Sequence, residues 1–354
     1  MKKLLNKIRS KASKIPESTR ITTETIAHHR ERILAGGRRF KYPVQYARHK
    51  LVFNAIIITF ATLLAFVSIG YWQLYPSQNT GSFIYRVTRV LPLPVASIDG
   101  QKVLYSDYLL KYRSSIHYLE TKEQVNFDSE DGKRQSDFVK QREMEDALAD
   151  AYATKLAKDN GVTVTAAELE VFLKQKLQSS DGAVTQATND AVVLDYYGWS
   201  PEEYEHAMKT KLLRQKVAFK IDEVANAAVD KVGAIITSGT TDLKKVTEEA
   251  NKSSKFQVTY AAPGWVPKTN QDGGLAIAAG GLKKDAISVA IKSTSGEGYY
   301  YIKLLDSNET QVRYESVFIP LTEFDKQFAA IKDSEKVQIY ITIPEVETIT
   351  RSEG

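Results

Sequence analysis

Residues 51–72, LVFNAIIITFATLLAFVSIGYW, run for 22 positions without a charged side chain. A helix crossing a bilayer needs about 20 such residues. Its polar members, Asn54, Thr59, Thr62 and Ser68, are small and uncharged, and their hydroxyls can bond back to the carbonyls of the helix itself. Tyr71, Trp72 and Tyr75 gather at one end, where amphipathic rings favour a membrane interface. A buried core helix of this length would carry a polar face, and this one has none. The segment 51–75 therefore reads as a single transmembrane helix.

Charge sets its direction. Of the 48 Lys and Arg in the chain, 14 fall in residues 1–50 against 3 acidic residues, leaving 34 basic and 40 acidic residues for the remainder. Basic residues beside a span mark the cytoplasmic side. The reading is a basic cytoplasmic tail at 1–50, placed to attract anionic lipid, and an extracytoplasmic remainder attached to the plasma membrane. No base-reading or stacking pattern accompanies the tail's charge, so no nucleic-acid partner is expected. A cleaved signal peptide would have a short leader, an apolar core of about 7–15 residues and a small-x-small site close behind. This chain has none of these, since Ala96-Ser97 lies too far downstream. With no cysteine, the chain neither needs nor fears an oxidising compartment.

About 280 residues follow the span, enough for two modest cores. Ahead of it, residues 24–34 suggest a short helix stopped by Gly36-Gly37. After it, Pro76, Ser77, Gly81, Pro92 and Pro94 mark residues 76–93 as a linker. Residues 94–104 alternate around Asp99-Gly100, a hairpin signal, and Ser106 is placed to cap the helix that follows. Phe138, Met144, Ala147, Leu148, Ala151, Tyr152 and Leu156 define the apolar face of a second helix, which Gly161 stops. Thr165-Ala166-Ala167-Glu168 is a capping box that opens a third, with Leu169, Phe172, Leu173 and Leu177 as its stripe. Ser200-Pro201-Glu202-Glu203 opens a long fourth, Pro201 holding the first helical position. Between the last two lie a polar loop, Ser179-Ser180-Asp181-Gly182, and the aromatic run Tyr196-Tyr197-Gly198-Trp199. Such rings either close a core or offer a docking site for another chain.

Taken in order, these elements resemble the N-terminal chaperone domain of the SurA- and PrsA-type foldases. The residues that carry the resemblance are Ala96-Ser97-Ile98-Asp99-Gly100-Gln101-Lys102-Val103 with Ser106-Asp107, Leu156 through Glu168, and Gly198-Trp199-Ser200-Pro201-Glu202-Glu203-Tyr204. In that family a parvulin-type prolyl isomerase domain follows, and residues 224–321 resemble a degenerate copy. The helices from Val224 to Val232 and from Asp242 to Ala250, Gly264-Trp265-Val266, Gly273-Gly274-Leu275 and the strand Gly298-Tyr299-Tyr300-Tyr301-Ile302-Lys303-Leu304 carry that likeness, with Leu243 in place of the family's Phe. The implied fold class is α+β: a mostly helical chaperone domain at 94–223 plus a small parvulin-like α/β domain at 224–321, after one transmembrane helix. The resemblance also implies that residues 322–354 return to complete the first domain, their strand 337–344 pairing with residues 95–98.

The departures from the family bear on chemistry. Parvulins carry histidines on their first and last strands. Here Tyr300 stands at the last-strand position, and all five histidines (His28, His29, His49, His117 and His206) precede residue 224. The first strand is missing before Val224; residues 312–319 are expected to fill its place from the other end, with Ser316 at its histidine position. Prolyl isomerisation requires no covalent step, so an apolar pocket alone can lower the barrier of about 18–20 kcal/mol. The chain has no phosphate loop, no hydrolase elbow and no Cys; His28-His29 diverge by about 100° on a helix, and His117 and His206 are isolated. No catalytic, cofactor or metal residues are expected. The function expected is that of a membrane-tethered foldase or chaperone holding unfolded or newly exported polypeptides, with Tyr196, Tyr197, Trp199 and Trp265 as client contacts. An active prolyl isomerase and a non-catalytic membrane-anchored assembly protein are the alternatives.

Overall fold

The computed structural model describes residues 22–41, 43–179, 182–253 and 255–344. The chain divides between Tyr71 and Trp72 into two compact units. The first holds α1 (Thr23–Lys41) and most of α2 (Pro43–Leu74). The helix expected at 24–34 is longer, since α1 runs through Gly36-Gly37 to Lys41. A glycine inside a helix costs about 1 kcal/mol and ends the helix only when it turns left-handed. From His49 to Leu74, 26 residues, α2 is long and apolar enough to cross a membrane, spanning ~39 Å at about 1.5 Å per residue. The side chains of residues 51–69 are all exposed. The lipid contact expected for residues 1–50 falls partly on residues 1–21, outside the described residues.

The second unit opens with a departure from expectation. The supposed linker contains α3 (Ser82–Val90), whose Tyr85 and Thr88 are buried. The flanking Pro and Gly residues had masked a pattern only nine residues long. Then β1 (Pro94–Ile98) and β2 (Gln101–Leu104) pair through Asp99-Gly100, whose φ values of 46° and 81° give the left-handed turn that suits strand twist. Next, α4 (Tyr105–Thr121) starts with Leu104 in the cap position and no side-chain cap. Ser106 is thus inside the first turn and does not cap it.

Helix α5 (Glu130–Asp159) is capped by Ser129, whose hydroxyl accepts from the Gly132 N–H. Its buried side includes Val139, Met144, Leu148 and Tyr152, while Phe138, expected on that side, is exposed. Both capping boxes form as expected, on α6 (Ala166–Lys176) and α8 (Pro201–Ile221). Between them β3 (Gln178–Ser179) and β4 (Gly182–Ala183) flank the loop expected at 179–182, of which Ser180 and Asp181 lie outside the described residues, and α7 (Gln186–Tyr197) follows, a helix the sequence did not announce. The Thr185 hydroxyl starts α7 by accepting from the Thr188 N–H.

Beyond α8 come α9 (Glu223–Thr237), α10 (Leu243–Ala250), β5 (Thr259–Pro267), α11 (Leu275–Gly280), β6 (Ile291–Lys292), β7 (Gly298–Ser307) and β8 (Gln311–Pro320). Their sheet is antiparallel in the order β5-β8-β7-β6. The segment 312–319 lies in β8, between β5 and β7. Period-2 alternation puts Tyr299 and Tyr301 against α9 and α10, packed with Val232, Leu243, Val246, Val317 and Ile319. On the opposite face Ile302, Leu304 and Tyr314 pack with Leu275, Ala276 and Ala279 of α11.

The chain then returns through α12 (Glu323–Lys332) and β9 (Val337–Ile339). Phe324, Phe328 and Ile331 enter the core formed by β1, β2, α4 and α5. The expected pairing is present, Ala96 opposite Ile339 and Ile98 opposite Val337. The strand is shorter than 337–344, ending at Ile339, and residues 345–354 lie outside the described residues. The whole is an α+β fold. Asp222 joins the outgoing and returning chain: only 1% exposed, it accepts from the Ala225 N–H (2.8 Å) and from those of Thr322 (2.7 Å) and Glu323 (3.0 Å).

Candidate polypeptide-binding cleft

The end of α7 and the start of α8 set the site. Gly198 closes α7 in the left-handed conformation (φ 66°), and a Cβ there would come within 3.2 Å of the His117 ring. Ser200 begins α8 two residues later, so Trp199 projects from a connection fixed at both ends. Its indole N–H donates to the Leu110 carbonyl (3.3 Å), and its ring stacks on Tyr197 at 4.9 Å. Tyr196 turns the other way, 6.3 Å from the Tyr118 ring, with the Lys122 ammonium 4.7 Å above it. Tyr196 and Tyr197 remain 44% and 45% exposed.

Trp199 is shared by several cavities. One of about 370 Å³ is bordered by Arg86, Arg89, Arg113, His117, Tyr197 and Trp199. Another, of about 650 Å³, is bordered on its apolar side by Tyr118, Leu119, Phe138, Val139 and Tyr197. The exposed Phe138 that failed to join the core lines this second hollow. In the first, Glu203 accepts from the Tyr85 hydroxyl (2.8 Å) and pairs with Arg89 (3.2 Å), while the Arg113 guanidinium lies 5.3 Å from the Tyr85 ring. Burial, and then the neighbouring Glu203, push the Tyr85 hydroxyl well above the ordinary tyrosine range.

Behind Trp199 lies a cluster of four charges. Lys111 of α4 meets Asp146 (2.5 Å) and Asp150 (2.7 Å) on successive turns of α5, and Arg214 of α8 meets the same two carboxylates at 2.8 and 3.4 Å. Burial alone would lower the Lys111 pKa, but the two carboxylates reverse this and raise it. Asp150 is raised by its burial, whereas Asp146 is held low because Lys111 and Arg214 outweigh its burial. The cluster pins three helices in one arrangement, and with Trp199 it lines a hollow of about 550 Å³.

The four expected client contacts do not converge. Tyr196, Tyr197 and Trp199 are together, but Trp265 lies on the edge strand β5, its ring 5.8 Å from the Arg313 guanidinium. Sequence reasoning missed Tyr85, Arg86, Arg89 and Arg113 at the cleft. With only two buried positions in nine, residues 82–90 carry no full apolar stripe that would have pointed to the first three.

The sheet offers a contrast. Tyr300 stacks on Phe318 at 4.7 Å and donates to Glu297 (2.7 Å); burial first, and then Glu297, raise its pKa. Ser316 is buried opposite Ile302 and Ala261. On the same face the Tyr314 hydroxyl donates to Asp272 (2.7 Å), which also accepts from the Ala276 N–H (3.0 Å) at the start of α11. Among the described residues no group of three or more His, Cys, Asp and Glu could hold a metal ion.

This arrangement, an aromatic cleft on a capped helical frame with Tyr196 and Tyr197 half exposed, is suited to binding. Residues 44–218 match the SurA-like N-terminal domain. No curated protein and no solved structure matches the chain. The SurA-like stretch begins inside α2 and ends within α8, so it includes the apolar helix and the whole run from Tyr196 to Glu203. Such a domain is consistent with a chaperone-type foldase that binds polypeptides.

Proposed function

We propose that this chain is a membrane-tethered foldase of the SurA/PrsA type, which holds unfolded or newly exported polypeptide outside the cytoplasm at the cleft around Trp199. One observation carries the reading: half-exposed Tyr197 stacks on Trp199, itself partly buried against the core, and the pair borders cavities inside the SurA-like stretch. Amphipathic rings of this kind bind apolar side chains through their faces and backbone groups through their polar ends. The helix at 51–75 is the tether, with the basic tail at 1–50 cytoplasmic and drawn to anionic lipid. Residues 224–321 are a parvulin-like module whose histidine positions hold Tyr300 and Ser316, so the holding function does not depend on isomerase chemistry.

The test uses the full chain in nanodiscs. It should slow aggregation of a denatured client present in equimolar amount, and Trp199→Ala should remove most of that effect while leaving the circular dichroism unchanged. A chain that leaves aggregation unaltered, yet captures one folded protein from detergent-solubilised membranes, would be an assembly factor instead. Acceleration of proline-limited refolding that Tyr300→Ala abolishes would establish an isomerase.

A further inference from the structure

We infer that the outer face of α3 rests on the bilayer surface, making the folded body a membrane-apposed one. This rests on the reading of α2 as a span. Phe83, Arg86 and Val90 occupy one side of the helix at i, i+3 and i+7, while Tyr85 and Thr88 are buried on the other. Phe83 is 75% and Val90 80% exposed, and Leu91 next to them is also exposed. Among the described residues Arg86 has no ion-pair partner, and Arg89, paired with Glu203, flanks the same side.

Chain length brings this face to lipid. Trp72 is exposed and Leu74 already buried, its carbonyl accepting from the Tyr105 hydroxyl at 2.7 Å. The Tyr75 hydroxyl donates to the Pro94 carbonyl at 2.8 Å. The residues leading to α3 form a pinned turn: the Ser77 N–H donates to the Trp72 carbonyl, the Asn79 N–H to the Gln73 carbonyl, and Arg113 to the Thr80 carbonyl. The residues from Trp72 to Ser82 are thus held against the folded core of their own unit. Even a fully extended chain from Leu74 to Ser82 would reach only ~28 Å. Two large apolar side chains beside guanidinium groups match a layer of acyl chain ends and phosphates.

The chain has no cysteine, so single-cysteine variants carry one label each. Spin labels at Phe83→Cys and Val90→Cys, on the full chain in nanodiscs containing phosphatidylglycerol, should be reached several-fold better by oxygen than by a water-soluble nickel chelate. Labels at Leu63→Cys in the span and Val289→Cys on the exposed surface bracket the scale. Arg86→Glu should return the Phe83 label toward the Val289 value, and so should nanodiscs of phosphatidylcholine alone, in part. If the labels at 83 and 90 match Val289 while Leu63 is in lipid, the inference is overturned and the tether stands. If the Leu63 label is itself in water, the tether reading fails. Spin–spin coupling between copies that persists without lipid would assign the face to a second copy and overturn the inference.

Discussion

Two sets of aromatic rings, one around Trp199 and one around Tyr300, occupy opposite situations in the same unit. At Trp199 the rings border cavities and stand among guanidinium groups, Tyr196 and Tyr197 half exposed and Trp199 partly buried against the core. At Tyr300 each polar end already has a carboxylate partner, and the faces are filled by Phe318 and by α11. Residue type is therefore a poor guide to binding, and what separates the two sets is whether the neighbouring volume is filled. The first set sits on helices joined by capped, short connections that hold hollows open. The second lies on a sheet whose strands bring side chains together every second residue and close them.

The most damaging change should fall on the frame that keeps the first set open. Lys111→Met leaves Asp146 and Asp150 with Arg214 alone; Asp150 is only 12% exposed but Asp146 is 43% exposed and screened by solvent, so the loss should fall at the low end, about 3 kcal/mol, of what breaking a buried pair costs. Chemical denaturation of the nanodisc-bound chain should register that loss, with client holding falling in parallel. Holding preserved at full stability would show that the cluster does not support the cleft. Next in size is Asp222, whose carboxylate satisfies three backbone donors at the crossing between the two regions. Asp222→Ala should cost about 2–3 kcal/mol, because three N–H groups lose a charged acceptor. Hydrogen exchange should accelerate first at Ala225, Thr322 and Glu323.

The comparison is tested directly by removing a ring from each set. Trp199→Ala should weaken client binding by about 2 kcal/mol, roughly 30-fold, as expected for a central aromatic anchor. Tyr300→Phe should leave binding unchanged and cost only about 0.5–1 kcal/mol of stability, since it removes a single hydroxyl bond to Glu297. Titration of a fluorescent unfolded client against each variant decides it, and equal losses would erase the distinction drawn here.

Much of the frame was legible from sequence because it is encoded locally. The Asp99-Gly100 turn, the two capping boxes and the alternation of Tyr299, Tyr300 and Tyr301 each depend on residues within a few positions of one another. Helices α3 and α7 were not legible. The first has two buried residues in nine positions, and the second a single buried residue, Val193, so neither shows a full apolar stripe. The site was half legible for the same reason. Tyr196, Tyr197 and Trp199 are adjacent in sequence, but Tyr85, Arg89 and Arg113 reach them only through packing. Trp265 was grouped with them by residue type alone, and the fold separates it.

The smallest expected effect concerns pH, and it too divides the regions, because all five histidines precede residue 224. His206 of α8 faces Asp107 at 3.0 Å beside a hollow of about 200 Å³ that Trp199 also lines. The hydrogen bond to Asp107 raises the imidazole pKa above its ordinary value; burial and the charges of Lys209 and Arg89 oppose it without cancelling it. A raised folded value means the pair contributes fully below the unfolded value of about 6.5, and that its contribution is lost as pH rises through the raised one. The side chain is 53% exposed, so solvent screening limits the effect to a few tenths of a kcal/mol. Stability should therefore decline slightly as pH rises from roughly 6 to 8, and His206→Gln should flatten that slope. Hydrogen exchange at both pH values would show whether the change is confined to α4 and α8. A slope of equal size at the sheet amides would mean that pH acts on the fold as a whole, and that the cleft has no titration of its own.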